Sequence, residues 1–519
     1  MRLANQETMV IVSDHRRART LGGALLITLL SAFMPGSGHL LLRRGAGWPI
    51  LAAFVLGMTA AAAFVLKVPR AELVEYLLST NVLAFLIMGC LAAAFVWLCV
   101  VMRTYELAKP RRLSPGKQFL GAFLVFVMCL GVTMPFAYGA YTANAQRNLL
   151  NALFPTEDSN GDKAAAGDAN AINKPRLNIF LVGSDAGPDR IGTRTDTMVV
   201  ASIDTKTGRT ILFSLPRNIA RAPFPSGSAM AKEFPSGFRD PRSPQSADYL
   251  LNGVYAYGTE FPHLAPAGPS RDSGLNLLMS SIEEILELEL DYFIQVNMEG
   301  FASIVDALGG LDVNVGPERI PMGGIGPFGE TVRPFGYIPP GQQHLTGEQA
   351  LWFARSRTNS TDYVRMGRQR CLMQYLIDQK SPIDVLKNFQ AVAAATTDSV
   401  STNIPQDVLP PLVTLAGLAK SRPLESVAFD PNLPDPGQAD GRFDTGNPDY
   451  DYVREVVRLA LEPPPPPPVA TTEPAPTSQP GAQSRQPTTT PKGGTRTSAT
   501  PEAPVPTSLG ETCNAATTE

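Results

Sequence analysis

The sequence predicts an α/β domain with a mixed central sheet flanked by helices, preceded by a helical transmembrane region. Three observations predict it. The first third carries long apolar stretches with basic flanks. The middle interleaves short β-branched and aromatic runs with segments of helical period. Beyond six consecutive prolines, Pro463 to Pro468, the chain turns to Pro, Thr, Ser and Ala.

At 519 residues the chain exceeds one domain and has room for a membrane part, a globular part and a tail. The formal net charge of −3 leaves no basic surplus to neutralise a nucleic-acid backbone, so no nucleic-acid partner is expected. No C-x-x-C or H-x-E pattern suggests zinc. Cys90, Cys99 and Cys129 fall in apolar stretches, Cys371 in a helical segment and Cys513 near the end of the tail. That distribution argues against a structural disulfide, even in an oxidising compartment.

Residues 1–141 read as membrane region. About Trp48–Leu66, Val82–Met102 and Phe119–Tyr138 are long and apolar enough to span. Leu21–Leu42 is interrupted by Pro35-Gly36-Ser37-Gly38, which breaks a helix midway, and reads as a re-entrant or interfacial hairpin. Arg2, Arg16, Arg17 and Arg19 precede it and Arg43 and Arg44 follow, so both flanks prefer the cytoplasm. The loop from Arg103 to Lys117 is also basic, whereas Lys67 and Arg70 are offset by Glu72 and Glu75. Three spans from a cytoplasmic start satisfy this bias and put everything after Tyr141 outside the cell membrane. A cleavable signal peptide lacks a small-residue cleavage site and would leave Arg43-Arg44 as a poor mature start. Residues 142–175, rich in Ala, Asn, Asp and Gly, read as a linker, and 176–461 as the extracytoplasmic domain. Residues 462–519 cannot bury a core, so they read as a disordered, solvated tail whose removal should leave the fold intact.

Within the domain, Leu177–Val182 is a buried-strand run ended by Gly183. Met198–Ile203 and Thr210–Leu215 follow as strands joined by a polar turn at Asp204–Gly208. Asp272–Leu288 places Leu275, Leu278, Ile282, Ile285 and Leu286 on one helical face. Tyr292–Asn297 and Leu311–Val315 are strands around a short helix, Gly300–Leu308, that Gly309-Gly310 stops. Thr346 and Gln349 form a capping box for the helix running into Arg355, and Asp362–Gln379 is a further helix.

Charged strings sit at the ends of these elements: Gly183-Ser184-Asp185, Arg194-Thr195-Asp196-Thr197, Ser214-Leu215-Pro216-Arg217, and Ala354-Arg355-Ser356-Arg357 followed by Arg365-Met366-Gly367-Arg368-Gln369. Arginines fork onto phosphate oxygens, and carboxylates hold the divalent cation that accompanies a polyphosphate. Any one of these residues alone reads as a surface salt bridge. In this order and context they resemble the LytR-CpsA-Psr family of cell-envelope proteins, from about Leu177 to Lys380 and more loosely to Leu461.

The resemblance implies a membrane-anchored phosphotransferase. Its substrate would be a glycan on a polyprenyl-pyrophosphate carrier, its acceptor peptidoglycan, and its product a phosphodiester in the cell wall. It implies catalytic roles for Asp196, Arg194, Arg217, Arg355 and Arg357, and pyrophosphate contacts from these arginines with Arg365, Arg368, Gln369 and Asn252. Asp185 and Asp196 match the aspartates associated with Mg²⁺ or Mn²⁺. Asn252 belongs to Asn252-Gly253-Val254-Tyr255-Ala256-Tyr257-Gly258, which is similar to a family motif. One departure is Asn218, where the family carries Asp; it is expected to be structural, leaving the metal to Asp185 and Asp196. His15, His39, His263 and His344 match no family motif. Two other functions fit the same residues: a pyrophosphate hydrolase with water as acceptor, and a non-enzymatic lipid-phosphate-binding regulator. Paired aspartates beside the arginines speak against simple anion binding.

Overall fold

The computed structural model describes residues 17–155, 166–184, 195–240, 242–243, 246–324, 332–358, 360–380, 388, 392, 399–463 and 506–515. The chain divides into two compact units. One comprises 1–169, 306–308 and 380–416, and the other comprises the remainder. The second unit thus runs over 170–305, 309–379 and 417–519.

The first unit is helical: α1 Leu21–Phe33, α2 Ser37–Leu41, α3 Gly47–Lys67, α4 Arg70–Leu78, α5 Thr80–Ala108 and α6 Pro115–Leu153. Three of these, α3, α5 and α6, are long and apolar enough to cross a membrane. Leu66, Phe85 and Phe119 on them are exposed, which suits helices solvated by hydrocarbon. The expected break is real. Between α1 and α2 the chain turns at Gly36, whose φ of 93° favours glycine, and α1 is too short to span. Thr104 Oγ1 donates to Ser31 Oγ at 3.0 Å and lies 3.3 Å from His39 Nδ1, so the hairpin's buried polar groups are paired. The linker expectation needs correction at its start, because α6 continues past Tyr138 to Leu153. Gln406 then ties the 380–416 segment to that helix end, donating to Leu150 O at 3.1 Å and Phe154 O at 3.2 Å.

The second unit is built on a mixed sheet. Its strands include β1 Arg176–Ser184, β2 Thr195–Asp204, β3 Thr210–Ser214 and, after helices α7 Ala229–Glu233, α8 Leu251–Glu260 and α9 Ser273–Leu286, β4 Tyr292–Asn297. In space the order runs Thr507–Ser508, Glu425–Ala428, β3, β2, β1, β4. β1–β2 and β2–β3 are antiparallel, whereas β1–β4 and β3 with Glu425–Ala428 are parallel. All five residues of β3 are buried, as a central strand covered on both faces requires. Downstream come α10 Met298–Ala307, β5 Leu311–Asn314, β6 Ile320–Met322, β7 Gly336–Ile338, β8 Gln342–Leu345, α11 Gly347–Arg355 and α12 Asp362–Gln379. Gly309 and Gly310 stop α10 with positive φ, and Thr346 with Gln349 completes the capping box of α11.

Two expectations fail at the end of the chain. Thr507–Ser508 pairs with Glu425–Ser426, a helix follows over Leu509–Ala515, and Cys513 is bonded to Cys371 on α12. So the region after Glu462 does not stay a solvated tail to its end, and the protein does carry a disulfide. The reason is local. Leu509 and Cys513, one helical turn apart, are buried against Val199, Ala201 and Leu212. The bond joins residues 142 apart in sequence, and cross-linking so long a loop removes much denatured-state entropy.

Candidate active site

Strand ends and helix starts bring the charged strings to one place. Asp196 is the second residue of β2. The Leu215 N–H donates to Met198 O at 3.0 Å, extending the β2–β3 pairing, and the turn at Pro216 then sets Arg217 beside Asp196. Asp362 opens α12, and Arg365 lies one turn later on the same face.

These four side chains close a ring of alternating charge. Arg217 Nη1 donates to Asp196 Oδ1 at 2.9 Å and its Nε to Asp362 Oδ1 at 3.1 Å. Arg365 Nη2 donates to Asp362 Oδ2 at 3.1 Å, and its Nη1 lies 3.5 Å from Asp196 Oδ2. Arg365 also reaches the Asp196 carbonyl at 3.3 Å. Its side chain is only 1% exposed, so it depends on both carboxylates for the charge it carries. Burial alone would raise the Asp196 carboxyl. The guanidinia of Arg365, Arg217 and Arg357 outweigh that and hold it below the ordinary carboxylate range, so it is ionised at neutral pH. Arg357 is an exposed residue whose pKa is depressed by partial burial of its head group, then by the like charges of Arg217 and Arg365.

The ring borders a hollow of about 250 Å³. Ser184, Asp196, Thr197, Arg355, Arg365 and Gln369 form its polar side. Leu181, Ile294 and Val296 from the sheet, Phe301 from α10, and Leu372 and Leu376 from α12 form an apolar side. The Arg355 guanidinium lies 4.8 Å from the centroid of the Trp352 ring, a cation–π contact that fixes its direction. Gln369 Nε2 donates to Ala354 O at 3.2 Å and so joins α12 to the end of α11.

Not every expected residue lines this hollow. Arg368 turns to the backbone instead, with Nη2 donating to Ser356 O and, at 3.3 Å, to Ser360 Oγ. Burial and then Arg365 push it down to about 10, which still leaves it charged at neutral pH. Asn252 is buried on α8, where its N–H donates to Arg217 O at 3.1 Å, so it braces the arginine's backbone. Asn218 donates from Nδ2 to Tyr363 Oη at 3.2 Å and Thr445 Oγ1 at 3.3 Å. Both partners are neutral, and Asn218 Oδ1 has none among the described residues. Asp185 and Arg194 lie outside the described residues, although their chain neighbours Ser184 and Thr195 are register partners on β1 and β2.

Asp362 escaped the reading of the sequence. Its only local signal was the i, i+3 spacing to Arg365 at a helix start, where an acidic residue ordinarily serves the helix dipole. As for a metal, no group of three or more His, Cys, Asp or Glu is gathered among the described residues. A Mg²⁺ ion that keeps waters and substrate phosphates needs only one or two protein carboxylates. Asp196, ionised and on the polar side of the hollow, is compatible with that sparse donor set.

The chain is similar to several known proteins. The chain is 27% identical over 289 residues to the polyisoprenyl-teichoic acid–peptidoglycan teichoic acid transferase TagU of Bacillus mycoides, covering 55% of this chain and 78% of the relative. It is 25% identical over 288 residues to biofilm regulatory protein A of Streptococcus mutans, covering 54% and 62% respectively. A solved structure, TagV of B. subtilis, aligns with a TM-score of 0.36 at 21% identity, over 55% of this chain and 97% of that one. Residues 143–430, more than half of the chain, match the LytR_cpsA_psr family, and the chain belongs to that family.

Proposed function

We propose that the protein transfers a glycopolymer from a polyprenyl-pyrophosphate carrier to peptidoglycan, forming a phosphodiester link during cell-wall assembly. One observation carries this reading: an apolar hollow and a rim of arginines are sides of the same cavity. A lipid pyrophosphate has the matching halves. The named substrate of the TagU relative, a polyisoprenyl-linked teichoic acid, belongs to the same chemical class.

The chain's own residues account for most of the chemistry. Leu181, Ile294, Phe301 and Leu376 take the first isoprene units out of water, at about 0.8 kcal/mol per buried CH₂. Arg355 and Arg365 face the cavity, and Arg217 and Arg357 stand close to Asp196 and Arg365, so four arginines gather on its polar side. Such a cluster of guanidinia suits the pyrophosphate and the charge that grows on the leaving group. A sugar hydroxyl of peptidoglycan attacks the glycan-side phosphorus and releases its proton to solvent. The bond from that phosphorus to the bridging oxygen breaks, and polyprenyl phosphate leaves with the oxygen. Asp196, with Asp185, would hold the Mg²⁺ or Mn²⁺ ion, which supplies further charge neutralisation when bound.

The charge bias of the membrane region supports a site outside the cytoplasmic membrane. A reporter fused after Ala140 should be active only outside and one within Arg103–Lys117 only inside; the reverse pattern would overturn the orientation. The reaction itself is tested by incubating the purified full-length protein with lipid-linked glycan and peptidoglycan oligomers and resolving products by mass. A glycan-phosphate adduct of the oligomer is expected. Its absence while the carrier is consumed would make the protein a hydrolase.

A further inference from the structure

Asp362 has no part in the chemistry above, yet it holds two of the arginines that chemistry needs. The two carboxylates of the ring are not equivalent. Asp196 faces the hollow, and its oxygens are engaged by Arg217 at 2.9 Å and Arg365 at 3.5 Å. Asp362 is not among the residues lining the hollow, and it grips both arginines at 3.1 Å. A carboxylate spoken for by two guanidinia is a poor ligand for a cation and repels an incoming phosphate. Asp196 must therefore loosen its arginines when substrate arrives. With no second anchor, Arg217 and the almost fully buried Arg365 would then lose, among the described residues, the counter-charge that fixes their direction.

We propose, on the transfer reading of this same site, that Asp362 is a positioning residue. It keeps Arg217 and Arg365 aimed while Asp196 exchanges them for the cation and the pyrophosphate. Its contact with Arg217 runs through Nε, and with Arg365 through Nη2. Each guanidinium thus keeps Nη1, the nitrogen now facing Asp196, for the exchange. In the free site Arg217 and Arg365 are neutralised by the two carboxylates, and binding swaps partners around the fixed one.

The test compares wild type with Asp362→Asn, Asp362→Glu and Asp362→Ala in the full-length protein in nanodiscs. Three quantities are read: transfer kinetics, the midpoint of Mn²⁺ binding from loss of its free-ion resonance, and thermal stability. Asp362→Asn keeps the shape and one acceptor but loses the charge. Misaimed arginines should lower its kcat about 10- to 100-fold, with a smaller change in KM. Its Mn²⁺ midpoint should rise several-fold, because both arginines then fall on Asp196. Asp362→Glu should recover part of both effects, and Asp362→Ala should be the most severe. An Asp362→Asn protein with wild-type kcat and an unmoved midpoint would overturn the proposal. So would one that merely melts lower, with an unmoved midpoint and no rescue by Glu, since that is the mark of a structural pair. If the wild type transfers nothing while the Mn²⁺ midpoints still separate, the transfer reading fails and the positioning role stands.

Discussion

The apolar side of the hollow and its charged rim are assembled from the same elements but obey different rules. Leu181, Ile294 and Val296 come from strands whose apolar runs also build the core, and Leu372 and Leu376 continue the inner face of α12. Any apolar side chain of similar volume serves there. The rim consists of single residues with named partners: Arg217 and Arg365 between Asp196 and Asp362, and Arg355 on Trp352. No neighbour can replace a forked guanidinium. Function should therefore fail sharply at the rim and gradually at the floor. The two meet on α12, which carries Arg365 and Gln369 for the one and Leu372 and Leu376 for the other.

The largest effect should come from Arg365→Ala, which strikes fold and function together. Asp196 and Asp362 keep Arg217 but lose their buried second partner, so both transfer and the melting temperature should fall. Unchanged stability would mean that Arg217 and solvent suffice for Asp196 and Asp362. Arg355→Ala should separate the two properties. It should cost roughly 100-fold or more in transfer, the scale of a lost transition-state donor, with little change in melting. Arg355→Lys should also damage transfer, since a point charge does not reproduce the fork.

A smaller effect is expected where rim and floor share a support. Cys513→Ser frees the chain end from α12 and should lower stability by about 2–4 kcal/mol. Activity below the new melting transition should survive, because neither cysteine lines the hollow. Activity lost with stability intact would contradict that separation. The mildest change is on the floor: Leu376→Ala should raise KM for long-chain carriers by about 1–3 kcal/mol of lost burial and leave a short-chain analogue nearly unaffected. Equal losses for both chains would show that the hollow does not hold the lipid.

Much of this was legible in the sequence, for stated reasons. Alternation and helical period marked β1 to β4, α9 and α12, and the apolar lengths marked α3 and α5. Motif order pointed to Asp196, Arg217, Arg355, Arg365 and Gln369, which the fold brings to one region. What escaped depends on distant partners. Asp362 looks like an ordinary helix-start acid until Arg217, 145 residues away, is seen to reach it. Cys371 and Cys513 are separated by the proline-rich region, so composition hid their pairing. The extension of α6 to Leu153 was missed because its Ala, Asn and Gln residues carry little apolar period while still allowing helix. Arg368 shares the spacing of a site residue, yet its guanidinium satisfies the Ser356 carbonyl instead.

The central claim is that this cavity directs a sugar hydroxyl, rather than water, to the glycan-side phosphorus of a lipid pyrophosphate. The most direct measurement is the transfer reaction run in ¹⁸O-water, with the label read by mass in each phosphate product. Transfer predicts a peptidoglycan-linked glycan phosphodiester and a polyprenyl phosphate that both lack ¹⁸O. A glycan phosphate carrying one ¹⁸O, with no adduct on peptidoglycan, would show that water is the acceptor and contradict the account.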